Sequence, residues 1–405
     1  MKEDVLPEGW ENRKLLDLCD IKTGKVDANH HSNDGIYPFF TCALEPLKSK
    51  TYSFDDELII LPGNGANVGT VFYYNGKIEA YQRTYVLHKI QAHPKFIYFH
   101  LLYSWKERTA KKQFGSATNY IRMSNFEEYS LPLPPISEQQ YLSQKLTALL
   151  YEVAQTKQRL EAIPAILKQF RQSVLADAVS GRLTEEWREN NELSLSDWIQ
   201  SNVGNIAKVE TGKTPSRKNP EYWENGYIPW LTSSCTGLPY VNFADEFVTD
   251  LAVKECGLKI FNKNTLLLAM YGEGKTRGQV TELKLSATCN QACAAITANN
   301  NLINNQYLKL SLLKNYDEIR KSASGGNQPN LNLTKVREIK IHLPSLKEQT
   351  QIVQKVETYF ALADEIETQV NAALENVNLL TQSILAKAFS GELSSTWRKE
   401  NSQLI

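Results

Sequence analysis

The chain has 405 residues, of which 42% are hydrophobic and 22% are charged, and its formal net charge is zero. This length exceeds one ordinary hydrophobic core, so two or more domains are expected. The composition is typical of a globular protein. No apolar run approaches the length that crosses a bilayer, which excludes an integral membrane protein. The N-terminal segment lacks the apolar stretch of a signal peptide, so we expect a cytoplasmic protein.

Cysteine and histidine residues show no spacing typical of a metal site. The six cysteines form no CxxC pair, and the closest two, Cys289 and Cys293, lack two further ligands. We therefore expect reduced thiols and no bound metal. The six histidines are equally scattered, and we find no methyltransferase signature of the Asn-Pro-Pro-aromatic kind. The sequence predicts a protein that is not itself an enzyme.

The first globular segment, residues 1–135, mixes strand and helix patterns. β-branched and aromatic residues predict strands at 57–61, 70–74 and 85–90, and apolar spacing predicts a helix over 98–112. A Gly-x-Gly-x-x-x-Gly pattern follows the first strand, and such loops let a backbone approach a ligand closely. An ordinary tight turn explains any single glycine there equally well. The mixture predicts an α/β or α+β domain.

A long helix is predicted over the next segment, residues 136–190. The apolar residues from Leu142 to Val174 step by four and three positions, the spacing of a coiled-coil seam. These 33 residues would span about 50 Å at roughly 1.5 Å per residue. Pro164 removes a backbone donor inside the run, which predicts a kink or a break, and Gly181 is the expected C-cap. The predicted seam residues are Leu142, Leu146, Leu149, Val153, Leu160 and Leu167.

The second globular segment, residues 191–343, repeats these patterns. Strands are predicted at 265–270 and 294–297, and a helix over 307–321. The glycine pattern of residues 63–69 recurs 209 residues later. Residues 191–345 carry 17 basic and 14 acidic side chains. Because this excess is small, any strongly basic surface must come from folding or from a partner.

One loop of this segment fits a relaxed nucleotide-binding pattern, which ends at Lys275 and Thr276. Such a loop needs a helix to begin at the Lys-Thr pair, so that backbone donors converge on phosphate. The following RGQVTEL stretch, with its β-branched residues, is typical of a strand. The equivalent loop of the first segment, PGNGANVGT, has no Lys-Thr pair. Nucleotide hydrolysis is therefore disfavoured.

The final segment, residues 344–405, repeats the first helical segment at a constant offset of 210 residues. The Glu-Gln pair at 138–139 and the Trp-Arg pair at 187–188 both recur at that offset. A second coiled-coil helix is therefore predicted, and the alternation of globular and helical segments favours antiparallel pairing of the two helices. The predicted seam residues of this second helix are Ile352, Val356, Tyr359, Ile366, Val370 and Val377.

The two globular segments also share landmarks. Trp10 and the Thr-Gly-Lys sequence at 23–25 recur 188 residues later, and Gln82 recurs 209 residues later. The change of offset places about 21 extra residues between Lys213 and Gly272. The whole chain is thus an internal duplication. Two similar globular segments, which we call the first and second readers, suit a ligand with two separated sites, and DNA is the leading candidate.

Candidate DNA contacts follow from side-chain chemistry. Arginine and lysine can contact guanine or phosphate, and asparagine and glutamine can make paired hydrogen bonds to adenine. In the first reader we select Lys25, Asn64, Asn67, Arg83 and Asn119. In the second reader we select Lys213, Arg217, Lys275, Arg277, Asn327 and Gln328. Each of these residues, taken alone, is equally typical of a solvated loop.

Over essentially its full length the chain resembles the specificity subunits of type I restriction–modification systems (HsdS). The most specific elements are the LPLPPISEQ and IHLPSLKEQ entries to the two helices. The SGRLTEEWR and SGELSSTWR sequences, which lie at the ends of the two helices, are similarly specific to the family, whereas the glycine-rich loops are less specific.

The resemblance implies a division of labour. Residues 1–135 and 191–343 would be target recognition domains, each binding one half of a bipartite double-stranded DNA target. Residues 136–190 and 344–405 would be helical spacers that fix the unread distance and dock two methyltransferase subunits. S-adenosylmethionine would bind to those adenine-methylating subunits, and ATP and Mg²⁺ to motor-nuclease subunits, while this chain carries no cofactor. The alternative is a coiled-coil scaffold or adaptor without sequence-specific DNA binding.

Overall fold

The computed structural model describes residues 6–111, 119–272, 275–323 and 331–404. The chain forms two compact units, one made of Met1–Ala162 with Val370–Ile405 and the other of Ile163–Gln369. Each unit therefore contains one reader together with part of each helical segment. Within the described ranges, no helix combines the length and the apolar character needed to cross a membrane.

The first reader is built on a mostly antiparallel sheet. Its strands and helices are β1 (Glu11–Lys14), β2 (Asp20–Thr23), β3 (Tyr37–Phe40), β4 (Leu47–Ser49), β5 (Phe54–Pro62), β6 (Phe72–Ala80), β7 (Thr84–His88), α1 (Pro94–Lys111), α2 (Ser124–Glu127) and β8 (Ser130–Leu133). Six strands lie in the order β2-β7-β5-β6-β3-β4, and β1 pairs separately with β8. Only β3 and β6 are parallel neighbours among these pairs. The predicted strands and helix of this reader are present.

The first long helix, α3 (Ile136–Ser180), runs for 45 residues and includes Pro164. The predicted break at this proline is therefore wrong. Pro164 lies on the exposed side of the helix, where a carbonyl that lacks its usual donor can bind water instead. The predicted C-cap is confirmed, since Gly181 adopts a left-handed conformation with φ of 83°.

The second reader has the same plan with additional short elements. The short helix α4 (Glu185–Asn190) precedes this reader. The elements of the reader in chain order are β9 (Ile199–Asn202), α5 (Val203–Ile206), β10 (Ala207–Thr211), β11 (Ile228–Leu231), β12 (Tyr240–Val241), β13 (Glu246–Val248), α6 (Asp250–Cys256), β14 (Leu266–Ala269), β15 (Val280–Leu283), β16 (Thr288–Cys289), β17 (Cys293–Ala298), α7 (Asn305–Lys314), α8 (Tyr316–Ala323), α9 (Leu333–Arg337) and β18 (Lys340–Leu343). The sheets have the orders β10-β17-β14-β15-β12, β13-β11-β16 and β18-β9.

Two predictions for the second reader are resolved by these elements. RGQVTEL does contain a strand, β15, so the preceding loop does not lead into the helix that a phosphate-binding loop requires. The helix predicted over 307–321 is instead two helices, because α7 ends at Lys314 and α8 begins at Tyr316.

The extra residues of the second reader are distributed rather than inserted at one place. β3 pairs with β6 at Phe39 and Glu79, and β11 pairs with β16 at Trp230 and Thr288. The offset between equivalent residues is thus 191 from β3 to β11, whereas it is 209 from β6 to β16, the strands with which they pair. The added length therefore lies partly before β11 and mostly between β11 and β14.

The second long helix is α10 (Leu346–Phe389), followed by α11 (Ser395–Glu400). In the first unit, α3 packs against the C-terminal part of α10, and the Lys157 ammonium donates to the side-chain amide oxygen of Asn378 at 3.2 Å. In the second unit, Arg171 contacts Asp364 at 2.6 Å, and the Lys355 ammonium donates to the Leu183 carbonyl at 3.2 Å. The two helices run antiparallel within each unit, as predicted.

Six of the twelve predicted seam residues are buried. The seam residues that are buried are Leu142, Leu146, Leu167, Ile352, Val356 and Val370. Those that are half-buried are Leu149, Val153, Leu160, Ile366 and Val377. Tyr359 departs from the prediction because it is 38% exposed, although its ring still meets Phe170 edge-on at 6.1 Å.

Candidate nucleic-acid interface

Loops from several strands of the first reader meet at one place. The Gln82 N–H donates to the Val26 carbonyl at 3.0 Å, which joins the loop after β6 to the loop after β2. Gly24 lies so close to that loop that an added Cβ would be 1.8 Å from the Ala80 carbonyl oxygen. Only glycine permits this approach, which gives the repeated Thr-Gly-Lys sequence a structural reason.

Two further loops complete the cluster. The Gly63 N–H, directly after β5, donates to the Arg83 carbonyl at 2.9 Å. The Gly65 N–H donates to the Asn119 carbonyl at 2.8 Å, and the Ile121 N–H donates to the Gly63 carbonyl at 3.0 Å. The loops at 24–26, 63–67, 81–83 and 119–121 therefore form one surface that is fixed through backbone hydrogen bonds.

Four of the five predicted contacts in the first reader lie in this cluster, three of them exposed and Asn64 half-buried. Asn64 and Arg83 line a cleft of about 280 Å³ together with Thr23, Gln82 and Tyr120. Lys25 and Asn119 are exposed beside it. The side chain of Asn67 instead donates to the Cys42 carbonyl at 2.8 Å. This amide holds the loop, so the case for Asn67 as a base contact is weaker.

The second reader forms the same loop cluster. A Cβ on Gly212 would lie 1.6 Å from the Cys289 carbonyl oxygen, which reproduces the close approach made by Gly24. The Met270 N–H donates to the Ala292 carbonyl at 2.8 Å, and the Leu331 N–H donates to the Met270 carbonyl at 3.1 Å. These bonds place Met270, and not Gly272, at the position of Gly63, so the glycine pattern aligns the two loops incorrectly at its first residue.

Two predicted DNA contacts of the second reader, Lys213 and Arg217, bind other residues of the same reader. The Lys213 ammonium donates to the Cys256 carbonyl at 3.1 Å. The Arg217 guanidinium lies over the Trp223 ring, 3.8 Å from its centroid, and contacts Glu246 at 2.6 Å. A stacked and paired guanidinium packs the segment between β10 and β13. DNA contact by these residues stays a prediction.

This packing role has a measurable consequence. Arg217→Lys keeps the positive charge but loses the planar stack, and should lower the free energy of unfolding by about 1 kcal/mol. We expect faster hydrogen exchange across residues 214–248. Lys218→Ala, a change at the exposed neighbour, is the control and should leave exchange unchanged. Unaltered exchange in Arg217→Lys would contradict the packing role.

Two of the remaining predicted contacts, Lys275 and Arg277, lie in the loop between β14 and β15. Lys275 is exposed, and its carbonyl accepts a hydrogen bond from the Tyr316 hydroxyl at 2.5 Å. Arg277 is half-buried, and its Nε and Nη1 atoms have no hydrogen-bond partner in the described part of the chain. Asn327 and Gln328 lie outside the described residues.

A buried carboxylate joins the first reader to the helices, a role that sequence reasoning missed. Glu138, near the start of α3, is fully buried. Its Oε2 atom accepts from the Trp10 indole at 3.0 Å, and its Oε1 atom accepts from the Arg398 guanidinium at 3.1 and 3.0 Å. These three residues, which we call the first latch, connect the start of the reader, the helix that leaves it and the segment after α10.

The second unit contains the equivalent latch of Trp198, Glu348 and Arg188. The Glu348 Oε2 atom accepts from the Trp198 indole at 2.9 Å, and its Oε1 atom accepts from the Arg188 guanidinium at 2.7 Å. The Thr184 hydroxyl donates to the same Oε1 atom at 2.7 Å. All the residues of the two latches recur as landmarks in the sequence, so the repetition itself was the signal.

The glutamine beside each latch carboxylate fixes a loop of the reader. The Gln139 side chain accepts from the His93 N–H at 2.8 Å and donates to the Pro134 carbonyl at 2.7 Å. The Gln349 side chain accepts from the Asn304 N–H at 2.6 Å and donates to the Pro344 carbonyl at 2.8 Å. The repeated Glu-Gln pair thus orients each reader on its helix.

Comparison with known proteins gives a consistent result. The family model for the type I restriction modification DNA specificity domain matches residues 7–165 and 195–376. The EcoDI type I restriction enzyme specificity subunit of Escherichia coli is 36% identical over all of this chain and 93% of that protein. The StySPI specificity subunit of Salmonella potsdam is 36% identical over 74% of this chain and 65% of that protein.

Solved structures share the fold. The HsdS subunit from Thermoanaerobacter tengcongensis matches with a TM-score of 0.62 and 16% identity, over 95% of this chain and 98% of that chain. A chain from a structural study of complex assembly of the type I R-M system matches with a TM-score of 0.71, 16% identity and the same two coverages.

Proposed function

The chain belongs to the type I restriction–modification DNA specificity family, and we propose that it selects the DNA sequence on which such a complex acts. Each reader binds one half of a bipartite double-stranded target, and α3 and α10 set the unread spacing between the halves. The chain itself carries no catalytic group and directs the chemistry of its partners. The proposed location is the cytoplasm.

The observation that carries this proposal is the repeated loop cluster with unlike side chains. The backbone contacts of Gly24 with Ala80 recur between Gly212 and Cys289. Some side chains of the cluster differ between the readers, as the exposed Arg83 does from the half-buried Ala292 at the equivalent position. A constant frame with variable side chains is what two recognition domains need in order to read different base sequences.

The proposed partners supply what this chain lacks. Two methyltransferase subunits dock on the helices and bind S-adenosylmethionine, and a flipped adenine enters their pocket. Motor-nuclease subunits, which bind ATP and Mg²⁺, add restriction. The neutral charge of this chain fits such an assembly, because tight DNA binding draws much of its free energy from neutralised phosphates. Much of that positive charge would come from the partners.

Methylome sequencing of cells that express the cognate methyltransferase tests the proposal. With this chain present, we expect adenine methylation at one bipartite motif, and without it we expect that motif to be unmethylated. Methylation that does not depend on this chain would contradict the proposal and favour a scaffold role.

A further inference from the structure

Gln82 and Gln291 occupy the same position in the two loop clusters. The preceding residues Tyr81 and Asn290 each donate a backbone hydrogen bond to a strand end, Phe40 in the first reader and Leu231 in the second, both at 2.9 Å. The residues after the glutamines, Arg83 and Ala292, each accept one. The equivalence therefore rests on contacts on both sides of the glutamine and not on sequence alone.

Both glutamine side chains are exposed on loops whose backbones are fixed. In the first reader, Gln82 lines the cleft shared with Asn64 and Arg83. In the second reader, the Thr214 hydroxyl donates to the Gln291 Oε1 atom at 2.7 Å. That bond uses one of the two acceptor positions of Oε1 and leaves the second, together with both Nε2 donors, available to a ligand.

In the second reader, the other polar residues that the two clusters share are less available for recognition. The Thr211 hydroxyl donates to the Cys293 carbonyl at 2.8 Å, and the Lys213 ammonium donates to the Cys256 carbonyl at 3.1 Å. The glutamine thus combines three properties: it is shared by both readers, exposed, and able to form a donor–acceptor pair with a base.

We propose that Gln82 and Gln291 each read an adenine, one in each half of the DNA target. A glutamine amide accepts from adenine N6 and donates to N7, a pattern that no other base presents in the major groove. Because the two readers keep this residue while their neighbouring side chains differ, the two half-sites share this adenine and differ elsewhere. The inference rests on the proposed function. Thr214 is a positioning residue that orients the Gln291 amide.

The test compares methylated motifs of the assembled complex carrying the wild-type chain, Gln82→Ala or Gln291→Ala. Each variant should relax discrimination at one A·T position of one half-site by tenfold or more, and leave the other half unchanged. Gln82→Glu, which replaces the amide donor with an acceptor, should act at the same position. Thr214→Val should relax the Gln291 position partially. The exposed residues Gln91 and Gln200, each changed to alanine, are matched controls and should leave the motif intact.

Because both glutamines are exposed, the variants should unfold at the wild-type temperature, and quantitative DNA binding separates the outcomes. Uniform weakening on all sequences would indicate phosphate contacts and overturn the inference. If the wild-type complex methylates a bipartite motif and the glutamine variants methylate the same motif without change, the inference is overturned and the proposed function stands. If the wild-type complex has no bipartite motif, the proposed function fails and the inference falls with it.

Discussion

Glu348→Ala should lower the free energy of unfolding of the second unit by about 3–5 kcal/mol. The side chains of Arg188 and Glu348 are 7% and 3% exposed, so the change leaves a guanidinium buried without a counter-charge. The Trp198 indole and the Thr184 hydroxyl also lose their acceptor, and each unpaired buried donor adds to the cost. Hydrogen exchange resolved by peptide measures the effect in each unit separately.

The controls for this prediction use both latches. Glu357→Ala removes an exposed carboxylate of the same helix and should cost less than about 0.5 kcal/mol. Glu138→Ala should destabilise the first unit in the same way, because Arg398 and Trp10 lose the same acceptors. A loss in Glu348→Ala no larger than in Glu357→Ala would show that the latch contributes little to stability.

The first unit should lose stability in acid through His100. This residue is 3% exposed, its Nδ1 atom lies 2.8 Å from the Tyr129 hydroxyl, and its ring meets Phe389 edge-on at 4.7 Å. Burial, with a smaller contribution from the charge of Arg108, lowers the pKa of the His100 imidazole to about 3. In the unfolded chain the pKa of histidine is about 6.5.

The sign of the pH effect follows from these two pKa values. Between about pH 6.5 and pH 3 the unfolded chain binds a proton that the folded unit does not, so stability falls as the pH falls. The loss is about 1.4 kcal/mol per pH unit, or roughly 3 kcal/mol at pH 4 relative to pH 7. Above pH 6.5 the contribution of His100 to stability does not change with pH.

His100→Gln should remove this part of the pH dependence and leave the part that other titrating groups contribute. Unfolding measured from pH 7 to pH 4 in wild type and variant gives the difference directly. His31→Gln, a change at an exposed histidine, serves as the control and should follow the wild-type curve. Parallel curves for His100→Gln and wild type would rule out His100 as the cause.

Features that depend on local periodicity could be predicted from the sequence. The heptad spacing predicted both long helices, and the glycines at 181 and 391 predicted their ends, where both adopt positive φ. Tyr359 was placed at the seam by the same spacing but is 38% exposed, since spacing alone does not fix how deeply a large side chain is covered. Pro164 was misjudged because its effect depends on which side of the helix it occupies.

Features that depend on distant residues could not be predicted. Arg217 and Lys213 have the charge that DNA contacts require, yet their partners Glu246 and Cys256 lie far along the chain. The latch residues Glu138 and Arg398 are 260 positions apart, so their repetition was visible while their contact was not. The position of Met270 in the loop cluster emerged only from backbone hydrogen bonds, because a glycine pattern aligns residues by type and not by backbone contact.

Exchange of the second reader tests most directly the claim that each reader recognises its own half-site. Residues 191–343 would be replaced by the corresponding domain of another family member that has a tryptophan at the position of Trp198. The recipient keeps Arg188 and Glu348, so the second latch can re-form. The methylome of cells with the hybrid complex should show one new half-site and one unchanged half-site. An unchanged motif, or a change in both halves, would contradict the account.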